Sequence, residues 1–168
     1  LMAPSTFIWV ASRTIHILAV IFWLGGSFFL ALALMPVLRS QVDREACVPL
    51  VSQVGRRFSR ITWVLMALLI ATGLVNMWSM NFLPDHFFST SRGVVLLIKL
   101  ILFGLILALS AVHDFWMGPR LDALASAGKV RTMEYARQRK RSAWLARLNV
   151  LLGVIVVVLI LVFRVTCT

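Results

Sequence analysis

Four apolar stretches, each long enough to cross a lipid bilayer, constrain this chain more than any other feature. They cover about residues 7–38, 60–82, 93–118 and 143–163. A helix of ~20 residues, rising ~1.5 Å per residue, spans the ~30 Å hydrocarbon layer. Lipid offers no hydrogen-bond partners to the backbone, so each stretch is expected to be a helix. The sequence therefore predicts an all-α fold, an integral membrane antiparallel four-helix bundle that forms a single domain over residues 1–168.

The basic residues predict how this bundle is oriented. Of the 17 lysines and arginines, 13 lie in two segments, 39–60 and 118–147, and both segments flank apolar stretches. The positive-inside rule places such segments in the cytoplasm. Both termini are then external, on the periplasmic side of a bacterial cytoplasmic (inner) membrane. The net charge of +11 is accordingly attributed to lipid headgroups, and no nucleic-acid partner is predicted.

The segment between the third and fourth apolar stretches predicts a surface helix. Gly128 interrupts the segment and Thr132 is a suitable N-cap. Residues 133–147 are then expected to lie along anionic headgroups before the fourth span begins. Cys47 and Cys167 are expected at opposite ends of the bundle, which excludes a disulfide between them.

Ionisable residues inside the apolar stretches indicate a site. Arg13 and His16 are three residues apart on the first stretch and so share a helix face. Lys99 and His113 lie on the third stretch. Ionisable groups in a membrane helix normally face the bundle interior and mark a binding or transport site. Each stretch also carries a stripe of polar residues, such as Thr72, Asn76 and Ser79 on the second, which predicts a polar or cofactor-lined interior.

Depth divides these residues into two groups. His16 and Lys99 lie ~13 and ~10 Å from the external ends of their helices, at about one level. His113 lies about twelve residues deeper than His16, or ~18 Å by helical rise. One iron atom cannot bridge that distance, so the two histidines are not the axial pair of a single haem.

The outer group suggests a b-type haem. His16 would be an axial ligand of the haem iron, and Arg13, Arg92 and Lys99 would pair with the propionates. A second haem would use His113, with Asn149 nearby on the fourth stretch. The alternative is that both histidines only make hydrogen bonds between helices.

A second hypothesis is a copper site. Met77 and Met80 are three residues apart at the outer end of the second stretch, and His86 follows in the external loop. Thioether and imidazole ligands suit Cu(I). Methionines in an apolar helix also serve as simple packing residues, so this pattern leaves both interpretations open.

Several runs resemble known families. These are RTIHILAVIFWLGGSFF, RRFSRITWVLMALLIATGLVN, a lysine and a histidine on the third stretch, and RLNVLLG at the start of the fourth. Together they resemble the copper-resistance D (CopD) membrane domain and are similar to the HemJ-type protoporphyrinogen oxidases. The HemJ resemblance implies a b-type haem, porphyrinogen oxidation, and functional roles for His16 and Lys99. The CopD resemblance implies copper uptake or homeostasis at the cytoplasmic membrane.

Three functions follow from these observations. The first is a haem b protein in electron transfer, working with other membrane or periplasmic redox subunits. The second is a copper transport or homeostasis protein that uses Met77, Met80 and His86, with or without His16. The third is an anchor subunit without a cofactor. No residue has the setting of a catalytic acid, base or nucleophile for hydrolysis, so whether the chain is an enzyme is left open.

Overall fold

The structure is a computed structural model that describes residues 4–41, 44–79, 88 and 90–166. Every regular element in these ranges is a helix. Four helical stretches are long and apolar enough to cross a membrane: Thr6–Leu38, Ala46–Ser79, Ser91–Ser126 and Met133–Phe163, here called spans one to four. The predicted all-α, four-span membrane fold is therefore confirmed.

The helices follow one another in an up-and-down order. Helix α1 covers Pro4–Phe29 and α2 covers Met35–Gln41, with a π-helical turn, Leu30–Leu34, between them. Helix α3 is Arg44–Ser79 and α4 is Ser91–Ala111. A second π-helical turn, Val112–Met117, joins α4 to α5, Gly118–Ser126. A short 3₁₀ helix, Lys129–Arg131, precedes α6, Met133–Thr166.

Both π-helical turns lie just before a proline. Proline cannot donate a hydrogen bond, and its ring collides with the carbonyl four residues earlier. For Pro36 that carbonyl belongs to Leu32, and for Pro119 it belongs to Phe115; each lies inside a π-helical turn. The wider turn relieves this conflict without ending the span. Spans one and three therefore continue past their prolines into the basic segments.

Span four differs from the expected arrangement at the basic segment. Residues 133–147 are not a separate surface helix, because α6 runs without interruption from Met133 to Thr166. Gly128 does break the connector, with φ of 71°, and Thr132 does cap α6 by accepting a hydrogen bond from the Tyr135 amide at 3.3 Å. No glycine or proline interrupts the residues after Thr132 until the apolar segment has begun. The helix therefore enters the span directly.

The helices pack as two pairs, and the two pairs contact each other through α1 and α6. Span one packs against α3, α4 packs against α6, and α1 also contacts α6. The buried centre is apolar, and Met66 and Ile106 are each only 1% exposed. Its buried members are Ala19, Trp23, Met66, Leu69, Ile106 and Leu152. We call the end of the bundle with segments 39–60 and 118–147 the basic end, and the opposite end the outer end.

Two glycines allow side chains from neighbouring helices to approach closely. A Cβ atom at Gly153 would lie 2.8 Å from the Trp23 ring and from Leu24. A Cβ atom at Gly26 would lie 2.7 Å from the Phe58 ring. Small residues commonly allow such close packing between membrane helices. Trp23, whose flat ring faces the interior, is thus a packing residue of the core.

Candidate functional site

His16 is fixed in the outer half of the bundle by a hydrogen bond to span two. Its Nδ1 atom lies 2.8 Å from Oγ1 of Thr72. The neighbouring residue Ser12 donates to the Thr72 carbonyl at 3.2 Å, so the same turn of α3 is bound twice. Gly73 lies beside the imidazole, since a Cβ atom there would be 3.8 Å from the His16 ring, an ordinary van der Waals contact. The two helices therefore orient the ring closely.

The hydroxyl of Thr72 decides which ring nitrogen of His16 carries the proton. Thr72 donates its single hydroxyl proton to the Leu68 carbonyl at 2.6 Å. Its oxygen therefore accepts from His16, which places the imidazole proton on Nδ1. Nε2 is left with a free lone pair. Metal-binding histidines typically donate the other ring N–H to a neighbouring acceptor in this way, which fixes the tautomer and the ring orientation.

Lys99 approaches His16 from span three. Its ammonium lies within range of electrostatic interaction with the His16 ring, as the shared depth predicts. Lys99 is partly buried. In the ranges that the structure describes, no salt bridge neutralises it. An ionisable side chain inside a membrane helix is costly, so its position beside His16 marks a candidate site.

The two arginines predicted for this site lie farther toward the outer end. Arg13 stacks on Trp9, with 4.0 Å between the guanidinium carbon and the ring centroid. Arg92 lies in the first turn of α4 and is exposed. Arg13 is therefore partly committed to an aromatic neighbour on its own helix. Their pairing with haem propionates stays a prediction.

The predicted copper ligands are only partly within the described ranges. Met77 is half-buried and follows Gly73 by one helical turn, so it lies on the face of α3 that is turned toward span one. Met80 and His86 lie outside the described residues. Asn76, one turn beyond Thr72, has a buried Oδ1 atom that finds no hydrogen-bond partner among the described residues. This orphaned acceptor gives the outer half a further polar position.

A second polar cluster lies near the basic end, around Asp114. Its Oδ2 atom accepts from the Ser59 hydroxyl at 2.6 Å and from the Trp63 indole at 3.0 Å. Its Oδ1 atom lies 2.9 Å from Nδ1 of His113. His113 and Asp114 both belong to the second π-helical turn. The carboxylate accepts a hydrogen bond from Nδ1–H, so His113 also presents Nε2 as its free nitrogen.

Asn149 lies next to this cluster and not next to His16. Its amide donates to the Ser110 hydroxyl at 2.7 Å, which joins spans three and four. Its Oδ1 atom is buried without a partner. Asn149 is therefore a link between helices at the level of His113.

The two histidines lie at different heights along α3. His16 contacts Thr72, whereas the His113–Asp114 pair contacts Ser59 and Trp63. These contacts are nine to thirteen residues apart on one helix, or ~14–20 Å. The fully buried Met66 lies between them. The bundle therefore has two separate polar clusters divided by an apolar core.

Sequence reasoning missed the partners that hold these imidazoles. Ser12, Ser59 and Trp63 were not predicted at either site, and Thr72 was predicted only as part of a polar stripe. One signal for Thr72 exists in the sequence, because hydroxyl residues of a membrane helix bond either to their own helix or across to a neighbour. Which neighbour is chosen depends on the rotation of each helix.

In the described ranges, no group of three or more histidine, cysteine, aspartate or glutamate side chains is close enough together to hold a metal ion.

Comparison with known proteins places this bundle in a family. A family model described as Copper resistance protein D matches residues 52–163, about two thirds of the chain. The match includes Thr72, Lys99, His113 and Asn149, and it begins after the helix that carries His16. An uncharacterised protein of Aquifex aeolicus (strain VF5) is 32% identical over 150 residues, which is 86% of this chain and 87% of that protein. No solved structure is significantly similar. The predicted resemblance is confirmed, and the chain belongs to the copper resistance protein D family of multi-pass membrane proteins.

Proposed function

We propose that this protein handles copper at the bacterial cytoplasmic membrane, with His16 as the ligand that receives the ion in the outer half of the bundle. The observation that carries the proposal is the hydrogen-bond chain from His16 through Thr72 to Leu68. It leaves Nε2 of a partly buried imidazole as a ready ligand atom. Imidazole binds copper well, and the description of the family supports copper as the cargo.

Two further features are consistent with copper as the cargo. The thioether of Met77, one turn farther out, is a soft donor of the kind that selects Cu(I). His113 presents a second free Nε2 toward the basic end, held by Asp114 in the arrangement often found behind metal-binding histidines. The protein would then have one imidazole ligand for copper on each side of the apolar core.

The test is a Cu(I) titration of the purified full-length protein against a chromophoric Cu(I) chelator. His16→Gln is compared with His113→Gln, and total copper is measured in parallel. We expect His16→Gln to lose about tenfold or more in affinity at the tighter site, and His113→Gln to leave that site unchanged. Wild-type affinity in His16→Gln would show that the outer copper site is elsewhere.

A haem b protein in electron transfer is the second candidate, and a specific observation favours it. A haem supplies four nitrogen ligands itself and requires only one or two axial ligands from the chain. His16 meets that requirement, because it supplies one free imidazole nitrogen in the outer half of the bundle. Nε2 of His16 would hold the iron, and Lys99 and Arg13 would attract the propionates.

The packed core on the deeper side of His16 limits where a haem could be bound. Ala19, one turn deeper on the same helix, is only 3% exposed and belongs to the core. A macrocycle therefore has to extend toward the outer end, where Asn76 has its orphaned oxygen. When bound, haem iron would supply one-electron redox chemistry. Other redox subunits would then be needed as partners.

A visible spectrum, taken together with the copper titration, separates the haem and copper candidates. A Soret band in the wild-type protein that disappears in His16→Gln and persists in His113→Gln assigns His16 to haem. Copper bound with micromolar or better affinity, without a Soret band, assigns His16 to copper. If neither ligand binds, the polar groups serve helix packing alone and the protein is an anchor subunit.

A further inference from the structure

The basic part of α6 forms a continuous cationic face where the helix leaves the apolar region. Arg137, Lys140, Arg141 and Trp144 are spaced i, i+3, i+4 and i+7, so they share one side of the helix. All four are exposed, and together they line a hollow of about 260 Å³. We call these four residues the basic face. It is independent of both histidine sites.

The opposite side of the same helix fixes where this face points. Tyr135 and Ser142 are buried, at 6% and 8% exposure. Because α6 is one uninterrupted helix, packing of that side against the protein turns the basic face away from the bundle. The face therefore meets the surroundings of the protein, which at this height are lipid headgroups and water.

Among the carboxylates whose side chains the structure describes, none forms a salt bridge with the basic face. Asp114 accepts from Ser59, Trp63 and His113. Asp122 pairs with Arg56 at 2.8 Å, and Glu134 lies 3.9 Å from Arg120. Like charges one turn apart on a helix repel one another. Three cations on one face thus favour an anion supplied from outside the chain.

The depth of the face matches the headgroup layer of a bilayer. Trp144 is 62% exposed and precedes the apolar part of span four, where tryptophan marks the membrane–water interface. Lys140 lies ~6 Å and Arg137 ~10 Å above it by helical rise. Each headgroup layer is roughly 5–8 Å thick. The cations therefore extend through the layer in which lipid phosphates lie.

We propose that the basic face is a binding site for the phosphodiester headgroup of an anionic phospholipid. Arginine guanidinium groups bind phosphate oxygens through two parallel hydrogen bonds, and lysine adds a point charge. Trp144 contributes an apolar ring against the upper acyl chain and an indole N–H at headgroup level. A zwitterionic lipid carries its own cation beside the phosphate, so it is bound more weakly. The continuity of α6 is essential, since it stacks the cations along the bilayer normal.

The experiment is native mass spectrometry of the full-length protein with matched lipids. Phosphatidylglycerol and phosphatidylcholine with identical acyl chains are added, and the lipid retained at equal activation energy is counted. The variant is Arg137→Gln/Lys140→Gln/Arg141→Gln. Its control is Arg57→Gln/Arg60→Gln/Lys129→Gln, which removes the same charge from exposed positions near the same end. Trp144→Leu tests the interface contact without changing the charge.

We expect wild type and the control to retain phosphatidylglycerol about tenfold better than phosphatidylcholine, since each well-placed cation strengthens binding to anionic lipid severalfold. The basic-face variant should lose most of this preference, and Trp144→Leu part of it. Equal loss in both triple variants would mean that only total charge matters, and no preference in wild type would also overturn the proposal.

Displacement of the lipid by millimolar inorganic phosphate would assign the site to free phosphate and not to a lipid. If the triple variant does not fold, the single variant Arg141→Gln is compared with Arg57→Gln by the same count, and equal retention overturns the proposal.

Discussion

Thr72 accepts a hydrogen bond from Nδ1 of His16 and donates one to the carbonyl of Leu68. Two bonds of 2.8 and 2.6 Å thus set the tautomer of a histidine inside a membrane bundle. Removing the hydroxyl should release the ring without removing the ligand nitrogen. We expect Thr72→Val to weaken ligand binding at His16 by about 10- to 100-fold, the usual effect of losing such a supporting bond. The Cu(I) titration and the visible spectrum measure it.

Thr62 provides the control for that prediction. It is a buried threonine on the same helix, and its hydroxyl has no hydrogen-bond partner. Thr62→Val removes the same atom from the same helix without breaking a bond, so ligand binding should not change. Thr72→Ser, which keeps the hydroxyl, should also bind as wild type does. Equal losses in Thr62→Val and Thr72→Val would mean that helix packing, and not the His16 bond, is responsible.

Asp114 and Asp122 should differ strongly in their effect on stability. Asp114 has a side chain only 15% exposed and accepts from three donors. Asp114→Ala leaves those donors unpaired, which we expect to cost about 2–4 kcal/mol. Asp122 is 43% exposed and pairs with an exposed arginine, so Asp122→Ala should cost under ~1 kcal/mol. Reversible unfolding in mixed micelles measures both, and similar costs would contradict this assignment.

The adjacent glycines 25 and 26 should respond oppositely to alanine. A Cβ atom at Gly26 meets the Phe58 ring at 2.7 Å, whereas one at Gly25 meets nothing within 4 Å. Gly26→Ala should therefore destabilise the bundle by about 1–3 kcal/mol through overpacking. Gly25→Ala should be neutral or stabilise it by up to ~1 kcal/mol through helix propensity. Phe58→Leu in the Gly26→Ala background should restore part of the loss, as thermal unfolding in detergent can show.

The bond between Asn149 and Ser110 should appear as a coupling between spans three and four. The two side chains are 2.7 Å apart and Ser110 is only 5% exposed. Hydrogen bonds between membrane helices contribute about 0.6 kcal/mol on average and up to ~1.7 kcal/mol. A double-mutant cycle with Ser110→Ala and Asn149→Ala should therefore give a coupling energy in this range. Additive single effects would show that the two side chains act independently.

Composition and periodicity alone determined the fold class of this protein. Four apolar stretches of sufficient length leave helices as the solution in lipid, and the structure has them. Depth along each helix was also predictable, since a helix rises by a fixed ~1.5 Å per residue. For this reason His16 and Lys99 could be placed at one level, and His113 at another, before any packing was known.

Helix ends and helix rotation were decided by tertiary structure. The sequence predicted a surface helix over 133–147, but no glycine or proline follows Thr132 before the apolar segment begins, and α6 continues into that segment without a break. The π-helical turn at Val112–Met117 turns Asp114 toward Ser59 and Trp63, a rotation that a regular 3.6-residue period does not anticipate.

The hydrogen-bond partner of His16 could not be predicted from the sequence. In the outer half, Thr72 and Ser79 on span two and Ser91 on span three all carry a hydroxyl, and rotation of a helix exchanges one candidate for another. Only the packing of span one against α3 selects Thr72, and with it the nitrogen that His16 presents to a ligand. The sequence fixes distance along a helix axis, whereas rotation about that axis results from side chains fitting together across helices.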